Sequence, residues 1–162
     1  KEKLKSNYNF IINRYVAHHL GQSKYIDVLE NFYQSLVQGG SLGIIDVENN
    51  IVGLGTTNKW LLEKLKKINE SFYGDLYIAR KIPNMLKKIG FKDISYKIEV
   101  MQFEGESLEK EIEQIKFRID FGKDFFVSVL GEKDYDKFKK DYINSLNSDA
   151  FFYNKFIIQA YK

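Results

Sequence analysis

Hydrophobic spacing in residues 9–47 predicts a strand, a helix and a second strand. Residues 10–12 form a short apolar run of strand length. An amphipathic helix follows, because apolar residues recur at spacings typical of one helical face: Tyr25, Val28, Leu29, Phe32 and Leu36. The glycine pair in residues 38–40 is expected to end this helix, since glycine adopts the left-handed cap conformation without a Cβ penalty. With a second apolar strand at residues 42–45, the pattern predicts a βαβ unit with parallel strands.

Farther along the chain, the same two periodicities predict further helices and strands. Helical spacing covers residues 61–72 and 82–89. Residues 91–103 alternate between polar and apolar positions, which predicts a strand with one apolar face made of Ile94, Tyr96, Ile98 and Val100. Residues 107–147 are expected to form two helices. Residues 151–161 are rich in aromatic and β-branched side chains and are expected to form the last strand.

Polar side chains follow both strands of the βαβ unit, at the end where such units bind ligands. Ligands lie beyond the carboxyl ends of parallel strands. The residues found there are Asn13, Arg14, Tyr15, His18 and His19 after the first strand, and Asp46 and Glu48 after the second. These side chains are therefore the first candidates for a functional site.

Three segments of the chain resemble class I S-adenosylmethionine-dependent methyltransferases. Residues 8–20 resemble the fourth-strand motif, which usually has Phe-Asp, three apolar residues, a small polar residue and a stretch that ends in His-His-Leu. Residues 28–46 resemble the next helix, the Pro-Gly-Gly turn and the fifth strand, and residues 80–91 resemble a helix that ends in Ala-Gly-Phe. Asn9 stands where the family has Asp, and Gln38 where it has Pro. The segments occur in the family's order and cover roughly the first two-thirds of the chain.

The resemblance implies an α/β fold for the whole chain. It implies a partial Rossmann-like methyltransferase sheet, in which parallel strands are joined by an antiparallel pair of carboxyl-terminal strands. In this interpretation residues 1–162 are one domain, the carboxyl-terminal half of the fold with strands four to seven. The final strand lies between the fifth and the sixth, and residues 104–149 are a two-helix insertion between the last two strands.

The resemblance also implies S-adenosylmethionine as the cofactor of the parent protein. No Gly-x-Gly-x-Gly loop follows a strand in this chain, and the acidic residue that the family places after its second strand has no counterpart. We therefore expect this segment by itself to bind the cofactor weakly or not at all. The implied function is methyl transfer to an unidentified small-molecule acceptor, with this segment on the acceptor side of the cleft. The alternative is a non-catalytic binding or assembly module derived from half a methyltransferase.

Asn13, Arg14 and Tyr15 are the residues that the resemblance places near the methionine part of the cofactor and the reacting centre. Arg14 could instead pair with an acidic residue on a neighbouring strand. His18 and His19 are candidates, with Tyr15, for a base or an orienting group near the methyl acceptor. The alternative is that one histidine packs on the following helix and the other caps it. Because adjacent residues of an extended segment point to opposite sides, the pair is not expected to hold one metal ion.

Four residues are candidates for the acceptor substrate. Asp46 and Glu48 follow the fifth strand and would face the acceptor, or else form a solvated loop pair or a helix cap. Tyr77 and Arg80 would lie above the cleft in the implied architecture. All four assignments depend on the carboxyl ends of the two parallel strands lying side by side.

Composition narrows the classes of partner. The net charge is +3, and among the 25 basic residues only Arg14, Arg80 and Arg118 are arginines. Nucleic-acid binders favour arginine for bidentate contacts, so no nucleic-acid partner is expected. The chain has no cysteine, which fits a cytoplasmic protein without a thiolate metal site, and no apolar run reaches the ~20 residues of a membrane span. The exposed edge of the first strand predicts self-association or an amino-terminal partner.

Overall fold

The computed structural model describes residues 8–162. In chain order the elements are β1 (Tyr8–Arg14), α1 (Ala17–Ser35), β2 (Leu36–Glu48), β3 (Leu54–Gly55), α2 (Lys59–Ser71), a 3₁₀ helix (Ile78–Lys81), α3 (Ile82–Ile89), β4 (Lys92–Gln102), α4 (Gly105–Phe121), α5 (Lys123–Leu130), α6 (Glu132–Ser148) and β5 (Ala150–Tyr161). Among these described elements, no helix combines the length and the apolar character required to cross a membrane.

The chain divides into two compact units, each with its own core. The first, here the sheet unit, contains residues 8–49, Tyr73–Val100 and Asn154–Lys162. The second, here the helical unit, contains Asn50–Phe72 and Met101–Tyr153. The extent of a single domain over residues 1–162 stays a prediction, and residues 1–7 lie outside the described part of the chain.

In the sheet unit, β1 and β2 are parallel neighbours, as the βαβ pattern predicts. Asn13 stands beside Ile44 and Arg14 beside Ile45. β5 runs antiparallel to β2 and also pairs with β4, so the final strand lies between them. This mixed sheet, with helices α1 and α3, confirms the predicted α/β fold class.

The core of the sheet unit explains why α1 and α3 form where they do. Tyr25 and Leu29 of α1 are completely buried, and so are Ile82 and Leu86 of α3. These side chains cluster with residues of β2 and β5: Leu42, Ile44, Phe156, Ile158 and Ala160. The spacing of apolar positions on the two helices therefore matches the face that each helix buries.

The first helix ends before the glycines that were expected to cap it. Its last residue is Ser35, and Leu36 is extended and buried. Gly39, at φ 77°, lies inside β2, where the pairing with β1 shifts register between Tyr8 and Phe10. The prediction that residues 38–40 end the helix is wrong, because Leu36 belongs to the core through the strand and the glycines serve a bend of that strand.

Three helices, not two, connect β4 to β5. Gly122 separates α4 from α5, and Gly131, at φ 87°, separates α5 from α6. The helical unit buries a row of aromatic rings, with Phe126, Phe138 and Tyr142 stacked at centroid distances of 5.9 and 5.5 Å. The expected two-helix insertion is wrong, because the backbone leaves the helical conformation at Gly122 (φ −88°, ψ 15°) and divides the first predicted helix into α4 and α5.

Strand β4 shows the predicted alternation, but its apolar row is largely exposed. Ile94 contacts the core of the sheet unit, whereas Tyr96, Ile98 and Val100 are 60%, 48% and 55% exposed. The alternation correctly assigned these residues to one face. It could not tell whether anything covers that face, because burial depends on the neighbouring elements.

A substitution at Gly40 tests how closely β1 approaches the bend in β2. A Cβ at Gly40 would lie 2.9 Å from the carbonyl oxygen of Val37 and 3.2 Å from that of Asn9. We expect Gly40→Ala to lower the free energy of unfolding by about 1–3 kcal/mol, because backbone must move. Gly43→Ala is the matched control, since its Cβ would meet only the flexible side chains of Phe10 and Ile12. Urea unfolding of the two variants should separate them, and equal losses would contradict the packing argument.

Candidate functional site

Asn13, at the end of β1, is held by a buried tyrosine. The Tyr25 hydroxyl donates to Asn13 Oδ1 over 2.8 Å, and Tyr25 is completely buried. Burial raises the pKa of Tyr25, and the charge of Asp46 raises it further, so the hydroxyl keeps its proton. Because Oδ1 accepts this bond, the amide nitrogen of Asn13 is the group that can donate to a ligand.

Tyr15 leaves the strand in a conformation that is rare for a bulky residue. Its φ is 55°, and its backbone N–H donates to Ile45 O over 2.9 Å. The Tyr15 side chain is 42% exposed, and the Arg14 guanidinium lies 5.5 Å from its ring centroid. Left-handed backbone costs free energy for a side chain of this kind, and such outliers concentrate at functional sites. The two side chains form a cation–π pair at the end of β1.

Asp46 connects the end of β2 to the start of α1. It is 0% exposed, and its Oδ2 accepts the backbone N–H of Ala17 over 2.8 Å. Its Oδ1 accepts the N–H of Val47 over 2.8 Å and lies 2.6 Å from His18 Nδ1. The residue before α1, Val16, offers no side-chain cap, so the carboxylate of Asp46 supplies the missing acceptor at the helix start.

His18 is buried in this arrangement, and its ring orientation follows from Asp46. The two oxygens of Asp46 already accept backbone N–H groups, so His18 Nδ1 is the donor in the contact with Asp46. His18 and His19 were expected on an extended segment with side chains on opposite sides. They lie instead in the first turn of α1, and their ring centroids are 4.0 Å apart. This first turn is separated from the amphipathic part of α1 by Gly21, whose backbone is not helical (φ 71°, ψ 167°). Asp46 therefore caps the short turn that precedes the predicted helix.

His19 is exposed and contacts Tyr73. Its Nδ1 is 3.2 Å from the Tyr73 hydroxyl, and the two rings are stacked with centroids 6.4 Å apart. Partial burial lowers the pKa of His19 below its ordinary value, and the charge of His18 lowers it further, against a smaller opposite effect of Asp46. At neutral pH the His19 ring is therefore neutral and able to accept a proton.

Glu48 and Arg80 form a bidentate ion pair. Arg80 Nε and Nη2 donate to the two carboxylate oxygens of Glu48 over 2.7 and 2.6 Å, and Asn154 Nδ2 donates to Oε1 over 2.8 Å. Burial opposes the ionisation of Glu48, but the bonds from Arg80 and Asn154 outweigh it and lower the pKa. The same bonds raise the pKa of Arg80, whose side chain is 56% exposed.

Tyr77 lies beside this pair, and its segment is fastened to the start of α1. The Arg80 guanidinium is 5.7 Å from the Tyr77 ring centroid. Asp75 caps the segment by accepting the Tyr77 N–H, and the Asp75 N–H donates to His18 O over 2.9 Å. The residues of β1, β2 and the 3₁₀ helix that the sequence singled out thus lie around one end of the sheet.

Asp46 and Glu48 do not form a loop pair. Both belong to β2 and are at most 1% exposed, so the alternatives of a solvated pair or a cap for the helix after Thr57 are wrong. Asn58 caps that helix by accepting from Trp60 N and Leu61 N. The buried carboxylates hold other residues of the site in place, because every oxygen of both groups accepts a bond.

Sequence reasoning missed three residues that complete these contacts. They are Tyr25, which the pattern places only on the apolar stripe of α1, and Tyr73 and Asn154, which the pattern does not single out. Tyr73 is 70% exposed. A tyrosine rather than phenylalanine at a completely buried helix position was a usable signal for Tyr25, since its hydroxyl requires a partner. Within residues 8–162, no group of three or more side chains is arranged to hold a metal ion.

The likeness to solved structures lies at the level of the fold. One match is phosphoethanolamine N-methyltransferase 2 from Haemonchus contortus in complex with S-adenosyl-L-methionine, at a TM-score of 0.52 and 21% identity. It covers 99% of this chain and 34% of that protein. A cyclopropane synthase from Mycobacterium tuberculosis has a TM-score of 0.50 and 14% identity, over 93% of this chain and 54% of that one. The chain has a class I methyltransferase fold.

The chain spans only a third to about half of the length of these methyltransferase-fold proteins. No family model matches the sequence, and no curated protein matches it either. The resemblance that the three segments carried is confirmed at the level of the fold. The Haemonchus contortus protein was solved with S-adenosyl-L-methionine, the cofactor that the resemblance implies for the family.

Asp46→Asn tests the connection between β2 and α1. An amide can accept on one side only, so at least one of the three N–H donors loses its partner in a buried place. We expect the free energy of unfolding to fall by about 1–3 kcal/mol. Glu30→Gln, an exposed change on α1, should stay within about 0.5 kcal/mol of the parent chain. Urea unfolding with a helix-sensitive signal checks both, and a neutral Asp46→Asn would contradict the assigned bonds.

The lowered pKa of His19 is directly measurable, because the chain has only two histidines. We expect the NMR titration of the His19 ring to have its midpoint below 6.5, with the signal assigned through its loss in His19→Gln. Since the unfolded chain binds this proton at higher pH, the stability that His19 contributes is present above pH 6.5 and is lost as the pH falls through the folded-state pKa. A midpoint at or above 6.5 would show that burial does not dominate.

Proposed function

We propose that this chain forms the acceptor side of an S-adenosylmethionine-dependent methyltransferase that acts on a small molecule. The observation that carries the proposal is the parallel pairing of β1 with β2, whose carboxyl ends bring Asn13, Tyr15 and the Asp46–His18 pair to one end of the sheet. Ligands of α/β sheets bind at this end. The fold likeness supports the proposal independently of the site.

The residues present fit the cofactor in part. Asn13 offers an amide donor whose orientation Tyr25 holds, and Tyr15 brings an aromatic ring to the same strand end. A glycine-rich loop after a strand, which lets backbone approach a nucleotide, does not occur in this sequence. We therefore propose that Asn13, Arg14 and Tyr15 contact the methionine part of the cofactor, and that this chain by itself binds the cofactor weakly.

The cofactor supplies an activated methyl group, and the protein's contribution is mainly alignment. Good positioning of two reactants can lower a barrier by ~7–11 kcal/mol. His19 is the proposed base because its pKa is lowered, whereas the His18 ring is buried against Asp46. The centroids of the His18 and His19 rings are 4.0 Å apart, and the Tyr73 hydroxyl contacts His19 Nδ1.

Arg80 is proposed to orient the acceptor. Glu48 fixes its guanidinium through two bonds and compensates its charge, and Tyr77 flanks it. The remaining guanidinium N–H groups of an exposed Arg80 can donate to a polar acceptor group. Because Glu48 offsets the positive charge, we expect Arg80 to recognise such a group by direction rather than by charge alone.

Strand β1 offers a surface for the rest of a methyltransferase fold. Tyr8, Phe10 and Ile12 are 45%, 55% and 56% exposed on one face of this edge strand. We propose that these residues pair with an amino-terminal part of the fold, and the partial coverage of the neighbours, 34% and 54% of their lengths, supports this. Self-association through the same edge is the alternative that the sequence also predicted.

Titration with S-adenosylhomocysteine tests the assignment of the cofactor side. In ¹⁵N-labelled chain we expect amide shifts confined to residues 13–19 and 46–48, with a dissociation constant of about 1 mM. Asn13→Asp should abolish the response, because it keeps the acceptor for Tyr25 but replaces the donor amide with a negative oxygen. Asn31→Asp, on the exposed side of α1, is the matched control.

The outcomes of this titration separate the candidate functions. Shifts at the two strand ends that Asn13→Asp removes support the methyltransferase assignment. Shifts elsewhere, or none, would favour the non-catalytic binding or assembly module. A micromolar affinity would contradict the expectation that this chain binds the cofactor weakly.

A further inference from the structure

Strand β4 has an exposed apolar row and an open edge. Among the strands of residues 8–162, β4 pairs with β5, and no described strand pairs along its other edge. Tyr96, Ile98 and Val100 alternate along one face and are each about half exposed or more. An edge strand of this kind presents unpaired N–H and C=O groups together with apolar side chains, which is a template for another strand.

The opposite face of β4 carries a pair of opposite charges. Lys97 Nζ lies 2.9 Å from Glu99 Oε1, and Lys155 Nζ lies 2.6 Å from Glu99 Oε2. The hydrogen bond from Lys155, and to a smaller extent that from Lys97, lowers the pKa of Glu99 to about 2. The carboxylate is therefore charged throughout the neutral range. The Lys97 side chain is 72% exposed and is therefore accessible to a second carboxylate.

We propose that β4 is the interface of a homodimer, in which a second copy adds its own β4 antiparallel to the first. With the twofold axis perpendicular to the sheet at Ile98, each residue faces the one equally far on the other side of the axis. Lys97 then faces Glu99 of the second copy, twice, and Tyr96 faces Val100 of the second copy, twice. Ile98 faces itself across the axis.

Charge decides the register of this pairing. Moving the axis by one residue toward the amino terminus places Lys97 against Lys97 of the second copy. Moving it the other way places Glu99 against Glu99. Opposite charges stabilise directly facing positions, and like charges destabilise them. With the axis at Ile98, Lys97 faces Glu99 on the polar face, and on the apolar face the Tyr96 ring meets the β-branched side chain of Val100. Both faces therefore favour the same register.

The other open edge of the sheet lacks this complementarity. β1 also exposes apolar residues, but Arg14 is its only charged residue. A twofold pairing of β1 with itself has no acidic residue to set against Arg14. The two edges therefore differ in what they can recognise, and the β4 edge is the one suited to a second copy of this chain.

Charge exchange at β4 tests the dimer. Analytical ultracentrifugation of the 162-residue chain should show a dimer. Lys97→Glu and Glu99→Lys should each weaken dimerisation by at least about tenfold, since each places like charges opposite one another twice. An equimolar mixture of the two variants should associate again, because every facing pair in the mixed dimer is then opposite in sign. Recovery in the mixture cannot result from misfolding of either variant.

Two matched substitutions of an exposed isoleucine, one on each edge strand, identify which edge forms the dimer. Ile98→Asp should dissociate the dimer, whereas Ile12→Asp, at a similarly exposed position of β1, should not. A monomeric parent chain would overturn the proposal, and so would a mixture of charge variants that stays monomeric. Dissociation by Ile12→Asp but not by Ile98→Asp would assign self-association to β1 and would equally overturn it. None of these results depends on cofactor binding, so the proposed function can fail separately.

Discussion

The buried carboxylate of Asp46 is the interaction on which the candidate site depends. It accepts from Ala17, Val47 and His18, so a single side chain at the end of β2 fixes both the start of α1 and the orientation of a histidine ring. A buried carboxylate is tolerated only when its lone pairs find donors, because its desolvation is otherwise expensive. Here the helix start supplies a backbone donor that has no partner within the helix. The buried carboxylate of Asp46 and the unpaired N–H of Ala17 thus supply each other's hydrogen-bond partner.

The second buried carboxylate of β2 is also fully hydrogen-bonded. Both oxygens of Glu48 accept hydrogen bonds from Arg80 or Asn154, and the Arg80 side chain remains more than half exposed. The two acids lie on one strand, two residues apart, and organise different neighbours: Asp46 the start of α1, and Glu48 the 3₁₀ helix. Asp75 joins these neighbours through its backbone bond to His18. The polar groups around the strand ends therefore form a supported arrangement rather than independent surface charges.

The edge strands show how one sheet can present two different surfaces. β1 exposes an apolar row whose only charge is Arg14, whereas β4 combines an apolar row with Lys97 and Glu99 on its other face. Charges that face each other across two paired strands can favour one partner strand and one pairing register, whereas exposed apolar area favours no particular partner or register. In this sheet the two edges lie on opposite sides of β2 and β5, so occupation of one need not compete with occupation of the other.

Local pattern alone determined the order of the main elements and the βαβ unit, because apolar periodicity directly reflects the face that an element buries. It also placed Asn13, His18 and Asp46 near a common strand end, since parallel strands end together, whereas Arg80 was a candidate only through the family resemblance. Tertiary structure decided that an extra turn precedes Gly21, because Asp46 caps it from another strand, and that the helix ends at Ser35, because Leu36 joins the core of the sheet. It also decided that Asp46 and Glu48 are buried supports and that Tyr96, Ile98 and Val100 are exposed. These outcomes depend on neighbours distant in sequence, which no local spacing encodes.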